Sequence, residues 1–284
     1  MRVLVTGANG QLGTDLVAHC RQHGDDVVAA GRTVLDVGDR DAVLGAITTE
    51  RPDVVVNCAA WTAVDACESD PDRAHRDNAL AVRWLAEGCD LTNSHLVQIS
   101  TDYVFDGTLD RPYHECDEPA PRSVYGASKL AGEHEALVLG AHAAVVRTSW
   151  VCGVHGANMV KTILRLAAER PALQFVDDQI GHPTFTQDLA VVLRSLAVRR
   201  ISGIVHATNQ GAVSWFEFAR HVVTAMGKDP SMVQPISTAD LQPARPAPRP
   251  ANSVLDNAVL RALGDASTRH FTEPLRETVQ ALLA

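Results

Sequence analysis

Short, largely apolar runs alternate along the first half of the chain with longer stretches in which apolar residues recur every three or four positions. The short runs at 2–6, 26–30, 54–57, 95–100 and 143–147 are rich in valine and show no in/out alternation, the mark of strands buried on both faces. The longer period between them predicts helices over 11–23, 40–50, 71–89 and 125–139. Strand–helix alternation at this spacing builds βαβ units with right-handed crossovers. The fold class expected is α/β, a Rossmann-type doubly wound parallel sheet with a smaller C-terminal α/β lobe. Beyond Trp150 the pattern loosens into helices over 158–169, 186–197, 214–226 and 273–283, a short strand at 203–206 and a polar loop at 177–184. Four prolines within 242–250 exclude regular helix or central strand there and leave an ordered loop or lid. The division expected is a dinucleotide-binding domain over 1–150, to which later segments return, and a mainly substrate-binding lobe over 151–284.

Composition narrows the function classes. With 284 residues and 46% apolar content, the chain can bury a full core and a second lobe. A formal charge of −9 argues against a nucleic-acid polymer as partner and supplies no basic membrane patch. An anionic ligand must then be gripped locally, by helix N-termini and single arginines. No apolar run reaches membrane-spanning length, and Met1 leads straight into the first strand without a signal-peptide pattern, so a cytoplasmic location is expected. The six cysteines lack C-x2-C spacing and read as reduced. His19 and His23 share a helical face, but no third ligand follows at motif spacing, so no metal site is expected.

Candidate chemistry clusters where predicted strands end. Gly7, Gly10 and Gly13 lie between the first strand and the first helix, spaced for a tight turn, a close backbone approach to a pyrophosphate and close helix–strand packing. The helix N-terminus behind them favours an anion. The second strand ends Ala30-Gly31-Arg32, with no carboxylate at its tip and Asp36 further on. This favours NADPH over NADH, with Arg32 beside the 2′-phosphate. Ser100 and Thr101 open from another strand end, where their hydroxyls can stabilise a reacting oxygen. Tyr125 and Lys129 stand four apart on one helical face. A Lys⁺ about 4 Å from a phenol favours the phenolate by about 4 kcal/mol before desolvation is counted, which suits proton exchange with a carbonyl or an alcohol. An exposed tyrosine beside an exposed lysine is the plain alternative.

Together these runs resemble the extended short-chain dehydrogenase/reductases, and within them the dTDP-4-dehydrorhamnose reductase family. The resemblance rests on Gly7–Gly13, the run 57–65, Ser-Thr-Asp-Tyr-Val-Phe at 100–105, Tyr-Gly-x-x-Lys at 125–129, Arg-Thr-Ser-Trp at 147–150, Gln-x-Gly-x-Pro-Thr at 179–184 and Arg-Pro-x-Asn-Ser at 249–253. It implies NADPH-dependent reduction of the C4 ketone of dTDP-4-dehydro-6-deoxy-L-mannose to dTDP-L-rhamnose. By position it places Gly10, Gln11 and Leu12 at the cofactor diphosphate, Asp36 and Val37 near the adenine, and Ala60, Trp61 and Thr62 near the ribose. It makes Tyr125 the acid, Lys129 its electrostatic partner and Thr101 the residue that tunes it. Thr101, Asp102 and Trp150 are to face the deoxysugar, and Arg249 the nucleotide diphosphate. Some members form homodimers through Mg2+ held by glutamates. The nearest candidate is Asp15, and no C-terminal ligand matches, so dimerisation stays open and a role for Mg2+ uncertain. Two alternatives stand beside this reading: a nucleotide-sugar epimerase or dehydratase, and a non-catalytic subunit of the kind that regulates methionine adenosyltransferase.

Overall fold

The computed structural model describes residues 1–264 and 268–284. Its centre is a six-stranded parallel sheet built from β1 (Arg2–Thr6), β2 (Asp26–Ala30), β3 (Val54–Asn57), β4 (His95–Thr101), β5 (Ala143–Thr148) and β10 (Gly203–His206), in the order β10-β5-β4-β3-β1-β2. Chain order reverses between β1 and β3, so a crevice opens beyond their carboxyl ends, the usual binding place in open α/β sheets. Every residue of β3 and β5 is buried, which is why those runs read as continuous valine-rich stretches without alternation.

Helices cover both faces. On one, α1 (Gln11–Gln22), α8 (Thr186–Val198) and α10 (Ala258–Ala262) bury Leu12, Leu16, Leu193 and Leu260 against Val3, Val5 and Val56. On the other, α2 (Arg40–Glu50), α5 (Ala81–Thr92) and α6 (Val124–Leu137) cover Leu4, Val55, Leu96 and Val145. A separate core forms around Phe185, Phe218 and Phe271. It joins α7 (Met159–Glu169), α9 (Trp215–Ala225) and α11 (Thr272–Leu283) to the parallel strand pair β7 (Leu173–Val176) and β12 (Val233–Ile236). Segments after residue 151 therefore contribute to both cores.

Several boundaries differ from those the periodicity predicts. The helix expected over 71–89 is α4 (Pro71–His75), a π turn (Arg76–Leu80) and then α5, preceded by a separate α3 (Val64–Ser69). Amphipathic spacing does not distinguish one extra residue per turn, so the π turn leaves no periodic signature. The loop expected over 177–184 contains the two-residue strand β8 (Ile180–Gly181) and begins β9 (Thr184–Phe185). β8 pairs with β11 (Val213–Ser214), and β9 with β6 (Val151–Cys152), elements too short to leave a pattern. Among the described residues no helix is long and apolar enough to cross a membrane.

Candidate active site

The turn between β1 and α1 is built for close approach. Gly7 has φ +62°, and a Cβ there would lie 2.7 Å from the Ala59 nitrogen. A Cβ on Gly13 would lie 2.2 Å from the Gly7 carbonyl oxygen, so only glycine lets α1 sit so tightly on the turn. Helix α1 starts at Gly10 with no side-chain cap and no acid in its first turn, which leaves its N–H groups and dipole unanswered by the protein. These residues fit a dinucleotide diphosphate.

Two cavities run along the carboxyl edge of the sheet and share Gly10, Cys58, Ala59 and Ala60 in their walls. The first, about 260 Å³, is lined by Gly7, Arg32, Asp36, Val37 and Trp61 among others. The second, about 430 Å³, brings together Gln11, Leu12, Thr62, Ser100, Thr101, Asp102, Tyr125, Lys129 and Trp150. Gly13 lines neither and acts through packing. Arg249 also lies outside both lining sets. Its two terminal nitrogens hold Asp65 at 2.5 and 2.7 Å, and Asp65 also accepts from the Ala247 amide at 3.2 Å. This fork pins the proline-rich loop to α3 and holds the Asp65 carboxyl below the usual carboxylate range. Contact between Arg249 and a diphosphate therefore has to compete with Asp65.

Tyr125 sits in the first turn of α6, which Ser123 caps by accepting from the Gly126 amide at 3.1 Å. The close approach of α6 to residues 102–104 depends on Gly126, where a Cβ would lie 2.2 Å from the Tyr103 carbonyl oxygen. The Tyr125 ring meets Tyr103 edge-on, with centroids 5.5 Å apart. Burial pushes the Tyr125 phenol above its ordinary range, and the hydrogen bond from Thr101 opposes it. That shift is opposite to the one expected from Lys129. The Lys129 ammonium donates instead to the Ile99 carbonyl at 2.6 Å, and burial lowers it to about 8 while Glu133 pulls it up. In the free protein desolvation is the largest influence on both groups.

Ser100 lines the second cavity, yet its hydroxyl donates to Glu133 Oε1 at 2.5 Å, beside a fully buried Glu133–Arg147 ion pair. Its neighbour Thr101 keeps the expected position and donates to Asp102 Oδ1 at 2.9 Å. The Asp102 carboxyl is buried, and burial raises it to about 6 while hydrogen bonds from Ser253 and Thr101 oppose the rise.

Other residues at the site escaped sequence reasoning. Asn78, on the π turn, accepts from the Trp61 amide at 2.8 Å and donates to the Trp61 carbonyl and to Ser128, fixing the cofactor-side loop to α6. Arg73 lies 4.2 Å over the Trp61 ring and joins Arg32 in lining the first cavity. Trp215 stacks on Trp150 at 3.5 Å and 6°, and both line the second cavity. Residue type was the available signal for Trp215, one of four tryptophans, placed just after a helix-capping serine. Asp15 is engaged by Thr186 and lies 3.6 Å from His155, and no group of three or more His, Cys, Asp or Glu among the described residues is placed to hold a metal.

The model of the RmlD substrate binding domain matches residues 1–284. The dTDP-4-dehydrorhamnose reductase of Streptomyces griseus is 44% identical, over 99% of this chain and 94% of that protein. A probable dTDP-4,6-dihydroxy-2-methyloxan-3-one 4-ketoreductase of Streptomyces antibioticus is also 44% identical, over 100% and 96%. The crystal structure of dTDP-4-dehydrorhamnose reductase from Bacillus anthracis in complex with NADP superposes with a TM-score of 0.94 at 37% identity, over 99% of both chains. The chain belongs to the RmlD substrate binding domain family and is an NAD(P)H-dependent oxidoreductase of the extended short-chain dehydrogenase/reductase type.

Proposed function

We propose that the protein reduces the C4 ketone of dTDP-4-dehydro-6-deoxy-L-mannose to dTDP-L-rhamnose with NADPH. The observation that carries this reading is the row Thr101, Tyr125 and Lys129 in a cavity continuous with the glycine turn. The relatives' names supply the sugar and the nucleotide. NADPH, when bound, supplies a hydride. Gly7, Gly10, Gln11 and Leu12 would hold its diphosphate, Asp36 and Val37 its adenine, and Ala60, Trp61 and Thr62 its ribose, with Arg32 at the 2′-phosphate.

The chain's own residues do the rest. As negative charge builds on the C4 oxygen, Tyr125 gives up its proton to it. A phenol held above its ordinary range is fully protonated at neutral pH and so loaded for this step. The Thr101 hydroxyl, turning from Asp102 to Tyr125, steadies the phenolate that forms, and the Lys129 charge favours that phenolate once the proton has left. Asp102, which lines the second cavity, accepts a sugar hydroxyl, and the stacked indoles of Trp150 and Trp215 give the sugar an apolar wall.

The test is to mix purified protein with dTDP-4-dehydro-6-deoxy-L-mannose and NADPH and follow the loss of reduced-cofactor absorbance. Steady oxidation with formation of dTDP-L-rhamnose is expected. A protein that carries tightly held NAD+ and shows no net oxidation of NADPH would be an epimerase or dehydratase instead.

A further inference from the structure

Behind the Tyr125/Lys129 row lies a charged network that the proposed chemistry does not use. Glu133 follows Lys129 by four residues on α6, so the two share one helix face, and both are buried (1% and 4% exposed). Strand β4 answers them at successive residues. Lys129 Nζ donates to the Ile99 carbonyl at 2.6 Å, and Ser100 Oγ donates to Glu133 Oε1 at 2.5 Å. On β5, Arg147 is the registered neighbour of Ser100 and closes the set. Its Nε donates to Glu133 Oε1 at 2.9 Å and its Nη2 to Oε2 at 2.7 Å.

A buried ion pair is weak evidence for stability, because desolvation of both partners offsets their attraction. This one stands one helical turn from a buried lysine whose charge the reaction needs. We propose that Glu133, fixed by Ser100 and Arg147, is a positioning residue of the site that supplies the negative potential that keeps Lys129 protonated. The inference rests on Lys129 acting as the charged partner of Tyr125.

The groups facing Lys129 support the assignment. Cys58, at the end of β3, is pushed up by burial to about 12 and stays a neutral thiol. Tyr125 on α6 itself and Tyr103 beside it are both raised by burial and stay neutral. Asp102, after β4, is hydrogen-bonded to Thr101 and acts on Tyr125. Arg147, on β5, is a cation. Glu133 is thus the carboxylate whose charge raises Lys129 against the burial that lowers it to about 8.

The test is the pH dependence of kcat/KM in the wild type and in Glu133→Gln, which keeps the side-chain shape and removes the charge. Lys129 loses its proton as pH rises, so the wild-type rate falls on the alkaline side. Without Glu133 that fall is expected to begin about one pH unit lower, with NADPH affinity kept within a few-fold and the rate below the fall largely retained. Glu133→Asp is expected to restore most of the wild-type position. An alkaline limb that stays in place, or a uniform loss at every pH, would overturn the inference. Should the single variant fail to fold, Glu133→Gln/Arg147→Gln removes both buried charges together; loss of the Arg147 cation offsets part of the shift, so the fall is expected to begin at lower pH by less than one unit, and a limb that stays in place or moves up would overturn the inference. Wild-type protein that turns over no substrate would refute the proposed function, whereas wild-type turnover with an unmoved limb in the variant would refute only the role of Glu133.

Discussion

At the scale of single residues, sequence and structure agree on residue types at the site and differ on what some of them touch. Thr101, Tyr125 and Lys129 were legible because strand-end position and helical spacing place side chains without reference to the rest of the fold. The partner of Ser100 was not legible: its hydroxyl donates to Glu133, 33 residues on, a contact that no local pattern reports. The partnership of Arg249 with Asp65 spans 184 residues, and no local pattern reports it. Asp65→Asn removes the competitor for that guanidinium, so dTDP is expected to bind several-fold more tightly by calorimetry. Weaker binding would show that Asp65 aims Arg249 at the nucleotide. The ionisable residues also fix a pH profile. Asp102, raised to about 6, accepts a sugar hydroxyl best when ionised, so kcat/KM is expected to fall as pH drops through that value. Lys129, lowered to about 8, must be charged, so the rate is expected to fall again as pH rises through it. Steady-state rates across this range check both limbs, and a profile flat from pH 5 to 9 would contradict both assignments.

At the scale of elements, the β1–α1 turn is the part the sequence specifies best, because glycine spacing is a local signal. The π turn at Arg76–Leu80 is the part it hides. Asn78, carried there, is 1% exposed and joins α6 to the Trp61 backbone through three hydrogen bonds. Asn78→Ala leaves buried partners unpaired and is expected to cost about 1–3 kcal/mol, read as a lower midpoint in urea. NADPH affinity is expected to fall with it, since Trp61 lines the cofactor cavity. Unchanged affinity alongside lost stability would confine Asn78 to the scaffold.

At the scale of the whole molecule, the proposed function asks a chain of net charge −9 to bind an anionic cofactor and a nucleotide sugar. It meets this with an uncapped helix N-terminus and individual arginines, without a basic surface. The parallel sheet was legible from its apolar strands, whereas the strand pairs β6–β9 and β8–β11 were not, being two residues long and stabilised only by tertiary pairing. Cofactor preference belongs to this scale. Arg32→Ala is expected to lower the NADPH/NADH ratio of kcat/KM by ten-fold or more, and an unchanged ratio would move 2′-phosphate recognition elsewhere, with Arg73 the next residue to test. The most direct test of the account is turnover of dTDP-4-dehydro-6-deoxy-L-mannose at saturating NADPH by wild type and Tyr125→Phe, with cofactor affinity measured for both. The account predicts dTDP-L-rhamnose formed mole for mole with NADPH oxidised by the wild type, and a kcat lower by about 10²–10⁴ in the variant at nearly unchanged NADPH affinity. Wild-type kcat in Tyr125→Phe would contradict it.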